Sequence, residues 1–132
     1  MIQETEETLY LKFYFQQYHI DSIAIIGGAP KKNYDSLKQV LGLDEIYHVP
    51  YEQKEIKKSS KKIYEFIKLA KLVITVIPRH YEVDYYIKDA LKEHPKPLVH
   101  TKRGDGNAHI LISLYEKRAN LERILKQGYG EI

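Results

Sequence analysis

An α/β fold of Rossmann-like type is predicted by three observations. Apolar runs of strand length alternate with segments of helical periodicity, four of those runs end in tails rich in Gly, Pro, His, Lys or Arg, and none approaches the ~20 apolar residues of a membrane span. The tails read Gly27-Gly28-Ala29-Pro30-Lys31-Lys32, His48-Val49-Pro50-Tyr51, Pro78-Arg79-His80-Tyr81 and His100-Thr101-Lys102-Arg103-Gly104. Strands separated by helices pair in parallel through right-handed crossovers. All four tails therefore meet at the carboxyl edge of one sheet, where open α/β sheets bind ligands.

The elements follow in order. Leu9, Leu11, Phe13 and Phe15 alternate with Tyr10, Lys12, Tyr14 and Gln16 in strand fashion, so residues 1–19 are taken as an extension that adds an edge strand. A helix is the alternative there, favoured by Glu4, Glu6 and Glu7 at its start. Ile20 to Ile26 is a continuous apolar run closed by Gly27-Gly28, the pattern of a strand buried on both faces. Tyr34, Leu37, Val40 and Leu41 then recur at helical spacing between Asn33, a capping residue, and Gly42. Glu45–Val49 is short, favours β structure and is stopped by Pro50, which gives an outer strand.

From Lys54 to Leu69, Ile56, Ile63, Phe66 and Ile67 trace one helical face and Lys54, Lys57, Lys58, Lys61 and Lys62 another. Leu72–Ile77 is the strongest β segment and is placed centrally, with Pro78 ending it. A helix over about Val83 to Lys92 leads to Pro95 and Pro97 and a fourth strand, Leu98–Thr101. The loop Lys102–Gly106 then opens a long C-terminal helix over residues 107–127, closed by Gly128. The expected architecture is a single three-layer domain with a mainly parallel sheet of four core strands.

With 132 residues the chain has the size of one domain. Lys and Arg number 21 against 18 Asp and Glu, a net charge of +3, so electrostatic function must come from local clustering. Cysteine is absent, which excludes disulfides, thiolate metal sites and thiol nucleophiles. An acidic start without an apolar run leads to the expectation of a cytoplasmic protein.

The strand-end tails carry the chemistry. Gly27-Gly28 lets backbone N–H groups approach a phosphate at a helix start, with Lys31 adding charge. Lys102-Arg103-Gly104-Asp105-Gly106-Asn107 forms a glycine-containing turn into a helix N-terminus, with Arg103 a bidentate oxyanion binder. Arg79 and His80 follow the central strand, and His80 is the candidate catalytic residue. His48 and Tyr51 line a further wall. No two histidines have a local metal-ligand spacing, so no metal is expected. A haem would need only one axial His, or one of the 12 tyrosines, and an apolar slot; it stands as an alternative to the absence of a cofactor.

The order of Gly27, Gly28, Gly42, Glu45, Ile46, His48, His80, Lys102 and Arg103 resembles an uncharacterised family of short bacterial Rossmann-like proteins, over roughly residues 22 to 115. Where members of that family carry an acidic-Arg pair after Gly-Gly and an Asn beside the second His, this chain has Ala29-Pro30-Lys31 and Arg79-His80-Tyr81. The resemblance implies the fold; the family has no settled activity.

The expected function is binding, by sensing or sequestration, of a phosphate-bearing small molecule such as a nucleotide or nucleotide-derived signal, through Gly27, Gly28, Lys31, His48, Tyr51, Arg79, His80, Lys102, Arg103 and Gly104. The alternatives are a metal-independent phosphodiesterase using His80, and a haem-binding or protein-interaction module. A homodimer is expected from Leu114, Leu121 and Leu125 in near-heptad register. Nucleic acid is a minor partner candidate, through the Lys54 to Lys62 face.

Overall fold

The computed structural model describes residues 5–51 and 56–132. In chain order the elements are α1 (Glu6–Gln17), β1 (Ser22–Ile26), α2 (Asp35–Leu41), β2 (Glu45–Val49), α3 (Ile56–Leu69), β3 (Leu72–Ile77), α4 (Tyr81–Glu93), β4 (Pro97–Gly104), α5 (Asn107–Glu116), α6 (Arg118–Gln127) and β5 (Gly130–Glu131). The five strands form one sheet in the order β2-β1-β3-β4-β5, every pair parallel. This is a Rossmann-like three-layer arrangement. One side of the sheet is covered by α1, α2, α5 and α6, around Leu11, Phe15, Ile23, Ile25, Ile74 and Ile110. The other is covered by α3 and α4, around Ile26, Val49, Ile63, Ile67, Val73 and Val83.

The sequence logic holds for the central strands. All five residues of β1 are buried, as are Leu72 to Val76 of β3. β2 lies at the sheet margin and is exposed at its start, as its short polar composition requires. Gly42 and Gly128 close their helices at φ of +67° and +84°, a left-handed conformation that glycine adopts without a Cβ penalty. Asn33 sits one residue outside the expected capping place, its side chain accepting from the Asp35 N–H at 2.9 Å. Of the lysine face of α3, Lys54 and the Lys57 side chain lie outside the described residues, while Lys61 and Lys62 are exposed.

The N-terminal segment is the helix α1, not an edge strand. A capping box closes its start: the Thr5 hydroxyl accepts from the Thr8 N–H and the Thr8 hydroxyl from the Thr5 N–H, at 3.2 and 2.7 Å. Thr8, Leu11 and Phe15 then face the core at helical spacing, which leaves Leu9 and Phe13 exposed.

The fifth strand comes instead from the C-terminal end. β5 pairs with β4, and the Ile132 N–H donates to the Leu98 carbonyl at 3.0 Å. The long C-terminal helix is two helices that break at Lys117, whose ammonium donates to the His100 carbonyl at 2.6 Å.

Lys102, Arg103 and Gly104 belong to β4 rather than to a loop. The register shifts from Thr75 opposite His100 to Ile77 opposite Gly104, which places two extra residues in β4. The Thr101 hydroxyl compensates by donating to the Thr75 carbonyl at 2.8 Å. Thr101 is buried and Lys102 and Arg103 are exposed, so the irregularity turns the two cations toward solvent.

The turn after β1 has no room for side chains. A Cβ on Gly27, at φ +107°, would run into the Val76 carbonyl oxygen and lie 3.0 Å from that of Pro78. Gly27→Ala is therefore expected to cost about 3 kcal/mol or more, seen as a lowered urea midpoint. Gly42→Ala, whose Cβ would meet only Lys12 and Gln16 side-chain atoms at 3.5 Å or beyond, should cost about 1 kcal/mol. Equal losses for the two variants would refute the packing account.

Candidate functional site

Chain direction diverges between β1 and β3. From β1 the chain steps outward to β2, then crosses back over β1 to β3, and ligands of open α/β sheets lie at the carboxyl ends of such a pair. Here main chain closes the space between the two strand ends. The Gly27 N–H donates to the Val49 carbonyl and the Gly28 N–H to the Pro78 carbonyl, both at 2.8 Å. The Tyr51 N–H returns a bond of 2.8 Å to the Gly28 carbonyl. These glycines allow segments of the protein itself to approach closely, and their amide protons are committed to protein carbonyls.

Around this turn the structure gathers His48, Tyr51, Arg79 and His80. His48 Nε2 lies 2.7 Å from the Gly27 carbonyl oxygen. A carbonyl only accepts, so Nε2 carries the proton and Nδ1 of the neutral ring presents a lone pair. Burial lowers the His48 pKa from its usual 6.5, and the Gly27 bond partly offsets that effect. The Tyr51 ring lies over His80 with centroids 6.4 Å apart and planes 19° from parallel. His80 precedes the first turn of α4, and its Nδ1 is buried without a hydrogen-bond partner. Arg79 reaches along α4 to Asp84, Nε to Oδ1 at 3.0 Å.

The remaining predicted residues lie farther out. Lys31 is exposed and holds a left-handed backbone at φ +60°. Arg103 pairs at 3.2 Å with Glu116 of α5, in the helical layer opposite to α4, so the two guanidinium groups are anchored on different sides of the sheet. Gly104 is half-buried near the His109 ring. Among the described residues no group of three His, Cys, Asp or Glu side chains comes together as a metal site.

Three residues without a predicted role sit at this edge. Asp105 accepts from the Ala29 N–H at 2.5 Å, and its carboxylate fills the space a Cβ on Gly28 would need. Tyr34 precedes the first turn of α2, edge-on to His48 at 5.0 Å; its buried hydroxyl has no partner. Burial, with a smaller contribution from the charge of Asp105, pushes the Tyr34 pKa well above the usual tyrosine range. Asn107 opens α5, and its buried Oδ1 is likewise unpartnered. A tyrosine in an apolar helical pattern carries no sign that its hydroxyl will be stranded, and the Asp105 contact joins residues 76 apart in sequence.

His48 makes the stability of the fold depend on pH. Its folded pKa lies below 6.5, so the unfolded chain takes up a proton first as pH falls. This contribution to stability is complete above the unfolded value and is lost as pH drops from about 6.5 through the folded pKa. His48→Gln should flatten the urea midpoint in that window. An unchanged pH profile in the variant would contradict the assignment.

No protein-family model matches the chain, and comparison with curated proteins gives no match. Among solved structures the chain is similar to a mutant structure of the laminin-binding adhesin of Streptococcus agalactiae, with a TM-score of 0.46 and 12% sequence identity. The likeness covers 93% of this chain and 46% of that one, so the chain spans less than half the length of that protein.

Proposed function

We propose that this protein binds a phosphate-bearing small molecule, a nucleotide or nucleotide-derived signal, at the carboxyl edge of the sheet, and retains it rather than transforming it. One observation carries the reading. The buried side-chain polar atoms without partners among the described residues are the Tyr34 hydroxyl, His80 Nδ1 and Asn107 Oδ1, and they stand at the starts of the helices that follow β1, β3 and β4. Leaving a buried polar group unsatisfied costs about 1–3 kcal/mol, and such groups call for an explanation. Three of them at one sheet edge suit a ligand offering both donors and acceptors, as a base and sugar do. Lys31, Lys102 and Arg103 are exposed cations on the strand-end segments of the same edge. The Arg79 and Arg103 ion pairs have exposed carboxylates, so exchange of either partner for a phosphate costs little.

The unpartnered His80 ring nitrogen favours one second reading, in which it takes a proton from water attacking a phosphodiester. Chromatography of a nucleotide after long incubation with the protein separates the two: intact ligand supports retention, and release of a hydrolysis product supports turnover.

The binding test is a thermal-shift panel of mononucleotides and cyclic dinucleotides, with inorganic phosphate as control. A ligand at a hundred times its Kd should add about 2.7 kcal/mol of stability. Tyr34→Phe should raise the stability of the free protein by about 1 kcal/mol, by removing a buried unsatisfied hydroxyl, while reducing the ligand-induced shift. A panel without any shift, or a variant that keeps the full shift, would sink the proposal.

A further inference from the structure

The sheet margin opposite β5 is the outer edge of β2, a strand that pairs with β1 alone. Main-chain direction alternates along it. The Glu45 N–H donates to the Asp21 carbonyl and the Val49 carbonyl accepts from the Gly27 N–H, both on the β1 side. Residues two apart in a strand share an edge, so Ile46 and His48 turn their amide groups outward. The Ile46 N–H is taken by the neighbouring Glu45 carboxylate at 3.1 Å, which blocks the first half of the edge. The second half, from His48 to Pro50, borders a groove.

This groove, of about 610 Å³, lies between Val49 and Pro50 at the end of β2 and one stripe of α3. Phe66 gives it an apolar end, resting against Tyr47 of β2 with ring centroids 5.1 Å apart. The stripe carries Lys58, Lys61 and Lys62 against the carboxylate of Glu65. Lys61 and Lys62 are exposed, and among the described residues neither enters an ion pair. Beyond the effect of burial, the charge of Lys62 opposes protonation of His48, so an unpaired ammonium stands beside the open half of the edge.

An open strand edge selects its occupant by main chain. An extended peptide supplies the N–H and C=O groups that such an edge pairs with, and sends alternate side chains into the flanking groove. Acidic side chains there meet Lys61 and Lys62, and apolar ones meet Val49, Pro50 and Phe66. The five residues of β2 offer about 17 Å of edge, the length of a short peptide strand. A nucleic acid has no peptide ladder to add, and it would bring its phosphates to Glu65.

We infer that the outer edge of β2 and the groove beneath α3 dock an extended acidic peptide segment of a partner protein, added to the sheet as a sixth strand. None of the side chains assigned to the phosphate-bearing ligand lines this groove, and the inference stands without that proposal.

The test is fluorescence anisotropy of the full chain with a labelled peptide of about eight residues in which Glu and Val alternate, beside the same peptide with Lys in place of Glu. The Glu peptide should bind and the Lys peptide should not, and binding should weaken as salt is raised. Lys61→Glu combined with Lys62→Glu should weaken it about ten-fold or more with an unchanged melting temperature, since both side chains are exposed. Arg at both positions should keep it. Amide hydrogen exchange at His48 should slow in the complex, which a purely electrostatic contact with α3 would not cause. Tyr34→Phe should leave binding unchanged; its loss would move the peptide to the strand-end pocket and overturn the inference. So would a Glu peptide that does not bind at low salt, full binding by the double Glu variant, equal competition by oligo-dT, or a His48 amide that exchanges at its free rate in the complex. Dissociation of a dimer by the peptide, seen in sedimentation, overturns it as well and assigns the edge to a second copy of the chain.

Discussion

Two amide protons tie the ends of three strands together. The Gly27 N–H reaches β2 at Val49 and the Gly28 N–H reaches the residue after β3, so β1 ends in a turn clamped from both flanks. Neither bond tolerates a side chain at its donor, because a Cβ on Gly27 meets the Val76 and Pro78 carbonyls and one on Gly28 meets Asp105. Positions of His48, Tyr51 and His80 all depend on this clamp. His48 bonds to the Gly27 carbonyl, Tyr51 to that of Gly28, and His80 stacks on Tyr51. A glycine pair that reads in the sequence as a phosphate cradle is, in the fold, the fastening of the carboxyl edge.

The central sheet was legible because burial on both faces leaves a plain mark. Ile23 to Ile26 and Leu72 to Val76 are unbroken apolar runs between turn residues, and Gly42 and Gly128 stand where helix ends need them. The N-terminal segment misleads because alternation and helical spacing share residues. Leu11 and Phe15 fit both patterns; the acidic first turn, the Thr5–Thr8 capping box and the burial of Thr8 favour the helix. The break at Lys117 leaves no trace, since Leu114 and Leu121 are seven residues apart and keep the helical register across it. No Gly or Pro marks the place; a lysine bond to a strand carbonyl does.

The candidate site was legible in part, for the same physical reason. Parallel topology collects strand ends, so His48, Tyr51, Arg79 and His80 are brought near one turn. Side-chain direction is a finer matter. The irregularity in β4 sends Arg103 toward α5 while Arg79 lies along α4, and neither the Thr101 hydroxyl bond behind that irregularity nor the partner of Arg103 can be inferred from spacing. Tyr34 and Asn107 gain their interest from what their polar atoms lack, a property of packing and not of residue type.

The bond from Ala29 to Asp105 makes the protein its own competitor. An amide proton beside a glycine pair is the donor an incoming anion would seek, and a tethered carboxylate already sits on it at 2.5 Å. Any anion arriving there must evict that side chain, and with it loosen the link between the first strand's turn and the entrance to α5. The tether spans 76 residues of sequence, so its loss would free the turn after β1 and the approach to α5 together.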